Sequence, residues 1–260
     1  MRKYSENIMK IVFLTAACVS IIAVILICVF LFASGVPAIK EIGVSDFLLG
    51  DSWKPNQDLY GVFPMIIGSV YVTAGAILIG VPIGLLCAVF MARYCPKGLY
   101  KVLKPAVDLL AGIPSIVYGF FGLMVIVPLV QGSLGGSGKC LLTSSVLLGI
   151  MILPTIISVS ESNIRAVLPA AKMGIMAGII LGIGRAIGET MAVVMVCGNQ
   201  AIMPDGLTNG VRTLTANIVL EMGYASGLHR EALISTAVVL FVFILIINLS
   251  FMALKRRADR

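Results

Sequence analysis

Charged residues and histidine are scarce in this chain. Of its 260 residues, 12% are charged and one, His229, is a histidine, while 59% are hydrophobic. A soluble domain carries about a quarter charged residues, so the composition excludes an ordinary soluble domain and favours a polytopic membrane protein. A single histidine is too few for a histidine-based metal site and offers one candidate at most for a catalytic triad. We expect His229 to lie in a loop.

Cysteine pairs that are typical of redox or metal chemistry are also missing. The six cysteines form no Cys-x-x-Cys pair and lie mostly in or beside apolar runs. We interpret them as small hydrophobic residues. No nucleophile with a neighbouring base and no metal-ligand cluster is evident, so we expect neither an enzyme nor a bound metal or cofactor.

The net charge of +7 is not a sign of nucleic-acid binding. Lysine and arginine collect at the ends of apolar segments and between them, as a membrane topology requires. This distribution predicts the lipid bilayer, and not a nucleic acid, as the surroundings of the chain.

Six apolar stretches are long enough to cross about 30 Å of hydrocarbon, which takes roughly 20 helical residues. They lie near residues 11–33, 62–91, 105–130, 141–159, 169–197 and 232–254. We interpret the first as a retained span, because it is too long for the core of a signal peptide. The predicted fold class is all-α: a polytopic membrane protein with six transmembrane helices in a single permease domain, residues 1–260.

The positive charges predict the orientation of these helices. With the N-terminus inside, 13 lysines and arginines fall on the cytoplasmic side and five on the outside. The positive-inside rule therefore places both termini in the cytoplasm. Two external segments, 34–61 and 198–231, are long enough to dock an external partner or merely to cover the helix ends, and both interpretations stay open.

Small residues and prolines predict how the spans pack and where they break. Small residues recur every four positions in the second and fifth spans, which lets helix backbones approach closely. These residues are Ala76, Gly80, Gly84 and Ala88, and Gly174, Gly178, Gly182 and Ala186. Pro82, Pro114 and Pro154 predict kinks or breaks, and we take Pro114 and Ser115 as candidates for a break along a pathway.

Two opposite charges lie inside the fifth apolar stretch. Arg185 and Glu189 are four residues apart, so on a continuous helix they share one face. An ionisable group at membrane depth usually faces a partner or a water-filled path. Arg185 could contact a passing anion while Glu189 holds or gates it, or the pair could simply lock neighbouring helices. Thr190 could add a hydroxyl to the path or bond back to its own helix.

Two long motifs resemble those of a known family. One is Gly-Ile-Pro-Ser-Ile-Val-Tyr-Gly-Phe-Phe-Gly at 112–122, and the other is Leu-Pro-Ala-Ala-Lys at 168–172 leading into Gly-Arg-Ala-Ile-Gly-Glu-Thr-Met-Ala-Val at 184–193. The chain is similar over nearly its whole length to the permease subunits of bacterial phosphate ABC importers. It resembles the first of the two permeases in such importers.

The resemblance implies a type I ABC importer permease fold in the bacterial plasma membrane. It also implies a second homologous permease, two cytoplasmic ATPase subunits that use ATP, and an external phosphate-binding protein. The charged pair that matches Arg185 and Glu189 is implicated in phosphate passage in that family.

The chain departs from the family at the expected ATPase-docking loop. Residues 160–167 run straight into Leu168-Pro169, which predicts a shortened coupling loop at 160–168. Either the chain is an assembly-competent but uncoupled permease, or part of the natural chain is missing from the sequence. A further alternative is an ion-coupled secondary transporter that uses Glu189, although the internal duplication typical of that class is not evident.

Overall fold

Eleven α-helices and one short hairpin make up residues 2–166 and 171–258, the part of the chain that the computed structural model describes. The helices are α1 (Arg2–Ile42), α2 (Val44–Leu49), α3 (Phe63–Val89), α4 (Lys97–Gly112), α5 (Ser115–Phe121), α6 (Val127–Leu134), α7 (Leu141–Ala166), α8 (Ala171–Gly188), α9 (Met191–Val196), α10 (Leu214–Glu221) and α11 (Gly227–Ala258). Strands β1 (Trp53–Lys54) and β2 (Leu59–Tyr60) pair antiparallel around a 3₁₀ turn, Pro55–Gln57. Two π-helical turns, Phe90–Tyr94 and Gly122–Ile126, extend α3 and join α5 to α6.

Among the described residues, five helical stretches are long and apolar enough to cross a membrane. They are Met9–Ile42, Phe63–Tyr94, Ser115–Leu134, Leu141–Arg165 and Gly227–Ser250. The predicted stretch 169–197 is divided, because α8 ends at Gly188 and α9 begins at Met191. The apolar part of α8, Met173–Gly188, is too short to be counted with the other five.

The predicted boundary of the third span was wrong. Residues 105–112 belong to α4, a separate helix with Lys97, Lys101 and Lys104 along it, and the apolar stretch runs from Ser115 to Leu134. A residue that precedes proline avoids the helical region, and Ile113 before Pro114 is indeed extended. The amide of Val117 then bonds to the carbonyl of Pro114 at 3.0 Å and begins the next helix.

The other two span prolines do not interrupt their helices. Pro82 lies inside α3 and Pro154 lies inside α7, and both helices continue through them. A proline removes one backbone hydrogen bond, which a helix held by its neighbours on both sides can lose. Of the three prolines that predict a kink or a break, only Pro114 lies at a break.

Helix α7 is the centre of the bundle, and the two predicted stripes of small residues pack on it. A Cβ atom at Gly80 would lie 2.7 Å from the Ile152 side chain, and one at Gly84 would lie 2.9 Å from Ile156. From the other side, a Cβ atom at Gly182 would lie 3.0 Å from the same Ile156. Ile152 and Ile156 are fully buried. The stripes therefore act as predicted, by letting α3 and α8 approach α7 closely.

The predicted loop at 160–168 is helical as far as Ala166, so the prediction was wrong for residues 160–166. Residues 167 and 168 lie outside the described residues. A cluster of polar contacts explains the extension. The buried Glu161 carboxylate pairs with Arg165 one turn later at 2.6 Å and with Lys104 of α4 at 3.6 Å. It also accepts a hydrogen bond of 3.0 Å from the Tyr100 hydroxyl.

A small layer, here called the cap, covers one end of the bundle and consists of residues 43–65 and 197–233. Its core is built from buried residues of α2, the hairpin, α3, α10 and α11. They are Phe47, Trp53, Tyr60, Val62, Met65, Leu214, Ala232 and Leu233. The long helix α1 packs on α11 through an edge-to-face contact of Phe32 and Phe241, with ring centroids 5.8 Å apart. Both external segments predicted from the sequence thus form ordered structure.

Candidate functional site

Two interrupted helices lie side by side inside the bundle. One interruption is at Ile113 and Pro114, before α5, and the other is at Glu189 and Thr190, before α9. A Cβ atom at Gly119 of α5 would lie 2.9 Å from Ala192 of α9. A Cβ atom at Gly122, further along the chain, would lie 3.0 Å from the Val196 side chain, so α5 and α9 run in the same direction. Both helices therefore begin at a similar level of the bundle.

Tyr118 bridges the first interruption. Its hydroxyl donates a hydrogen bond of 2.9 Å to the carbonyl of Leu110, which lies on α4 before the break. The side chain is buried and also lies within electrostatic reach of the Arg185 guanidinium. Non-helical backbone at membrane depth requires partners for its freed polar groups, and Tyr118 supplies one.

Arg185 lies in the last turn of α8 and is half-buried. Its Nη1 atom donates to the hydroxyl of Thr155 on α7 over 3.4 Å, a long hydrogen bond. This contact aims the guanidinium at the junction of α7 and α8, and most of its donors remain available for another acceptor.

The expectation that Glu189 shares a helical face with Arg185 was wrong. Helix α8 ends at Gly188, and in the described residues no ion pair joins the two side chains. Instead, the Glu189 carboxylate accepts a hydrogen bond of 3.2 Å from the amide of Thr190, and its carbonyl accepts one of 3.2 Å from the Thr215 hydroxyl. Glycine in the last turn weakens the helix, and Thr215 stabilises the interruption that follows.

The remaining predicted residues flank the two interruptions. Thr190 bonds back to the neighbouring backbone, because its hydroxyl donates to the carbonyl of Gly188 over 3.2 Å. Pro114 is exposed, and Ser115 is half-buried as the first residue of α5. The structure thus brings Pro114 and Ser115 to the same part of the bundle as Glu189 and Thr190. Their roles in a pathway remain predictions.

The cap contains a polar cluster that the sequence did not predict. The Glu221 carboxylate accepts hydrogen bonds from Trp53 Nε1 at 2.8 Å and from Arg212 at 2.6 Å, and it lies 2.9 Å from His229 Nε2. Burial alone would raise the pKa of Glu221, but the hydrogen bonds from Trp53, His229 and Arg212 outweigh burial and lower it. The prediction that His229 lies in a loop was wrong, since His229 lies in the first turn of α11.

The chemistry available at the interruptions is that of anion contact. A half-buried guanidinium lies within an apolar bundle and donates to the hydroxyl of Thr155. Guanidinium offers planar paired donors that suit oxyanions, and interrupted helices are typical of substrate sites in transporters. Among the described residues, no group of three or more histidine, cysteine, aspartate or glutamate side chains could hold a metal ion.

The long apolar helices define a polytopic membrane protein, and a solved structure shares its fold. A chain of the MetNI methionine ABC transporter in an inward-facing conformation matches with a TM-score of 0.53, covering 77% of this chain and 95% of that chain. The two sequences are 18% identical, so the similarity concerns the fold alone. The fold is that of an ABC transporter permease.

Sequence comparison identifies the family. A probable ABC transporter permease protein, YqgH of Bacillus subtilis, is 35% identical and aligns with 98% of this chain and 93% of its own length. A phosphate transport system permease protein PstC from Mesorhizobium japonicum is 36% identical over 84% of this chain and 80% of its own length. No protein-family model matches the chain. The chain belongs to the family of ABC transporter permeases that includes the PstC proteins, and it is a multi-pass transport subunit of the plasma membrane rather than an enzyme.

The relatives carry internal residues that this chain lacks. The alignment with YqgH spans 288 positions, whereas the chain has 260 residues, which leaves at least 28 positions filled only by the relative. A probable PstC protein from Methanocaldococcus jannaschii aligns over 294 positions, which leaves at least 34. The lengths of these alignments therefore agree with a chain that is shorter than its relatives at internal positions.

Proposed function

We propose that this chain is a permease subunit through which inorganic phosphate crosses the bacterial plasma membrane in an ATP-driven importer. The observation that carries the proposal is the half-buried Arg185 beside two interrupted helices, in a chain whose relatives are phosphate transport system permeases. A guanidinium at this depth is costly unless it serves a polar path, and phosphate is an acceptor that its donors fit.

In this proposal the chain crosses the membrane six times, with both termini in the cytoplasm. Five spans correspond to the long apolar helices, and α8 together with α9 forms the sixth. The cap then faces outward, and the end of the bundle that carries Arg93, Lys97 and Lys101 faces the cytoplasm, as the positive-inside rule favours.

The remaining subunits follow from the same proposal. A second homologous permease would complete the pathway, and two ATPase subunits would bind ATP on the cytoplasmic side, so this chain needs no cofactor of its own. An external phosphate-binding protein would deliver the cargo at the cap. Seven carboxylates and five cations lie on the predicted external side, a balance that does not concentrate free anions.

Within the pathway, Arg185 would contact the phosphate oxygens. Glu189 and Thr190 would form the second interruption beside it, and Pro114 and Ser115 would form the first. The absence of an Arg185–Glu189 ion pair in the described residues is consistent with a guanidinium that is available to cargo.

Phosphate uptake into proteoliposomes tests the assignment of Arg185. The importer is reconstituted with its partner permease, ATPase and binding protein. We expect Arg185→Ala to reduce ATP-dependent uptake by about tenfold or more, since it removes a charge-assisted contact, and Arg185→Lys to retain part of the rate. Lys101→Ala, which removes an exposed cation of α4, is the matched control and should leave uptake unchanged. Normal uptake by Arg185→Ala would disprove the role of this residue.

A second candidate function is supported by the lengths of the alignments. At least 28 positions of YqgH have no counterpart here, so the chain could assemble with a second permease without engaging the ATPase. Co-purification of the membrane complex with the ATPase subunit tests this candidate. An uncoupled permease retains the second permease but not the ATPase, whereas a stoichiometric ATPase in the complex would refute it.

A further inference from the structure

We propose that a polar pocket in the cap receives a lysine or arginine side chain of the external binding protein. This inference rests on the proposed function, because it names the contact by which a delivering protein would dock. The pocket has a volume of about 540 Å³ and lies between the hairpin and the junction of α10 with α11. It therefore joins both external segments of the chain.

Aromatic rings form the walls of the pocket. The His229 ring lies 6.3 Å from the Tyr60 ring and 6.0 Å from the Tyr224 ring, measured between centroids. Trp53 lies behind them, 5.7 Å from Tyr60 in an edge-to-face contact. Tyr224 is 71% exposed, so its ring is accessible to a ligand. Ring faces at the edge of a cavity attract ammonium and guanidinium groups.

Two carboxylates line the pocket, and they differ in what they can still bind. Glu221 is saturated by Trp53, Arg212 and His229. Asp58 lies on the exposed rim, where its carboxylate accepts one weak hydrogen bond of 3.4 Å from the Tyr60 hydroxyl. Among the described residues Asp58 forms no ion pair. Its negative charge is therefore available to a ligand.

The backbone holds Asp58 at the rim. Asp58 ends the 3₁₀ turn in a left-handed conformation with φ of 54°, and its amide bonds to the carbonyl of Pro55 at 3.2 Å. Aspartate tolerates this conformation better than most residues. The conformation by itself indicates no ligand, but it fixes the direction in which the charge is presented.

The charges of the surroundings decide between a cation and an anion as the occupant. Neither lysine nor arginine occurs among the described residues that line the pocket. A neighbouring cavity of about 350 Å³ shares Asp58 and Tyr60 with it and is also lined by Asp46 and Asp51. This arrangement repels phosphate and attracts a basic side chain. A protein that carries phosphate to Arg185 would thus dock through its own cations, apart from its cargo.

The experiment measures the affinity of the phosphate-loaded binding protein for the complete importer in nanodiscs. We expect Asp58→Asn to weaken binding about tenfold, the effect of losing one charge-assisted contact, and to reduce the dependence of affinity on salt. Asp205→Asn removes another exposed external carboxylate and should leave the affinity unchanged. Equal affinities of the Asp58→Asn and Asp205→Asn complexes would overturn the proposal.

A second pair of variants tests the aromatic wall without changing charge. Tyr224→Phe keeps the ring face and should bind as the wild type does, whereas Tyr224→Leu should bind several-fold more weakly. Equal binding by the two Tyr224 variants would contradict the proposal. So would an effect of Asp58 on self-association of the importer with no effect on its affinity for the binding protein.

Phosphate uptake by the same preparations separates this inference from the proposed function. Wild-type uptake together with an affinity that is insensitive to Asp58 refutes the docking pocket alone. Docking that depends on Asp58 but leads to no phosphate accumulation refutes the proposed transport function and retains the pocket.

Discussion

The hydroxyl of Thr155 restrains Arg185 where α7 and α8 meet. Because this hydrogen bond is 3.4 Å long, it lies at the weak end of the usual range. We expect Thr155→Val, which keeps the shape but removes the hydroxyl, to lower maximal phosphate uptake about threefold by loosening the guanidinium. Uptake at saturating binding protein measures the effect. Thr155→Ser should retain the wild-type rate, and equal rates for the valine and serine variants would show that the hydroxyl has no role.

Glu221 makes the cap sensitive to acid. Its pKa is lowered in the folded chain despite burial, because Trp53, His229 and Arg212 stabilise the carboxylate. A lowered pKa contributes stability above the ordinary glutamate value of about 4.3, and this contribution is lost as the pH falls through the folded value. Trp53 is the only tryptophan and donates to Glu221, so its fluorescence should change in that acid range.

The matched variant for this titration is Glu221→Gln. It keeps an acceptor for Trp53 but cannot ionise, so we expect its fluorescence to lack the acid transition and its cap to be less stable near neutral pH. A transition of the same midpoint in Glu221→Gln would assign the titration to another group.

Single residues were predictable from the sequence where one rule of local spacing or composition sufficed. Arg185 could be recognised because a charge in an apolar stretch is conspicuous. Its contact with Thr155 could not, since the two residues are 30 positions apart and meet only when α7 packs on α8. The prediction that Arg185 and Glu189 share one helical face was wrong for a different reason. Residues four apart share a face only within a continuous helix, and α8 ends at Gly188.

At the scale of the helices, the contact of α3 with α7 depends on the absence of a side chain at Gly80. A Cβ atom there would lie 2.7 Å from Ile152 and 2.8 Å from the carbonyl of Gly149. We expect Gly80→Val to destabilise the folded chain by about 1–3 kcal/mol, the usual cost of overpacking. Thermal unfolding in detergent measures it.

Gly98 provides the control for the Gly80→Val substitution. A Cβ atom at Gly98 in α4 would meet nothing within 4 Å, so Gly98→Ala should be neutral or slightly stabilising. Adding Ile152→Ala to Gly80→Val should recover part of the lost stability if the clash is the cause. Full stability of Gly80→Val would contradict the close approach of α3 to α7.

Hydropathy predicted the helices well and their interruptions poorly. Five apolar stretches became long helices because length and apolar composition are properties of the segment itself. The division of the third stretch at Ile113 and Pro114, and of the fifth at Glu189 and Thr190, depends on contacts that form only in the folded chain. Tyr118 of α5 donates back across the first interruption to Leu110, and Thr215 stabilises the second interruption from another segment. Proline alone was a poor guide, since α3 and α7 continue through theirs.

For the whole molecule, the central question is how ATP hydrolysis outside this chain would reach Arg185. Energy from an ATPase acts on the membrane only through a contact that favours one of two conformations. Helix α7 is well placed to transmit such a contact, because Glu161 ties its end to Lys104 of α4 and Thr155 on the same helix holds Arg185. The end of α7 at Ala166 also precedes residues 167 and 168, where we propose that a docking segment is missing.

A chimaeric chain tests this coupling directly. The internal segment of YqgH that has no counterpart here is inserted between Val167 and Leu168, and ATP hydrolysis by the reconstituted importer is measured with and without the binding protein. If the missing segment limits coupling, the chimaera should bind the ATPase and show hydrolysis that the binding protein stimulates several-fold more than in the original chain. A glycine–serine segment of equal length supplies the added residues without a docking surface and should have no effect. Equal stimulation of the original chain and the chimaera would show that this permease couples through another contact, and that the shortened segment does not impair transport.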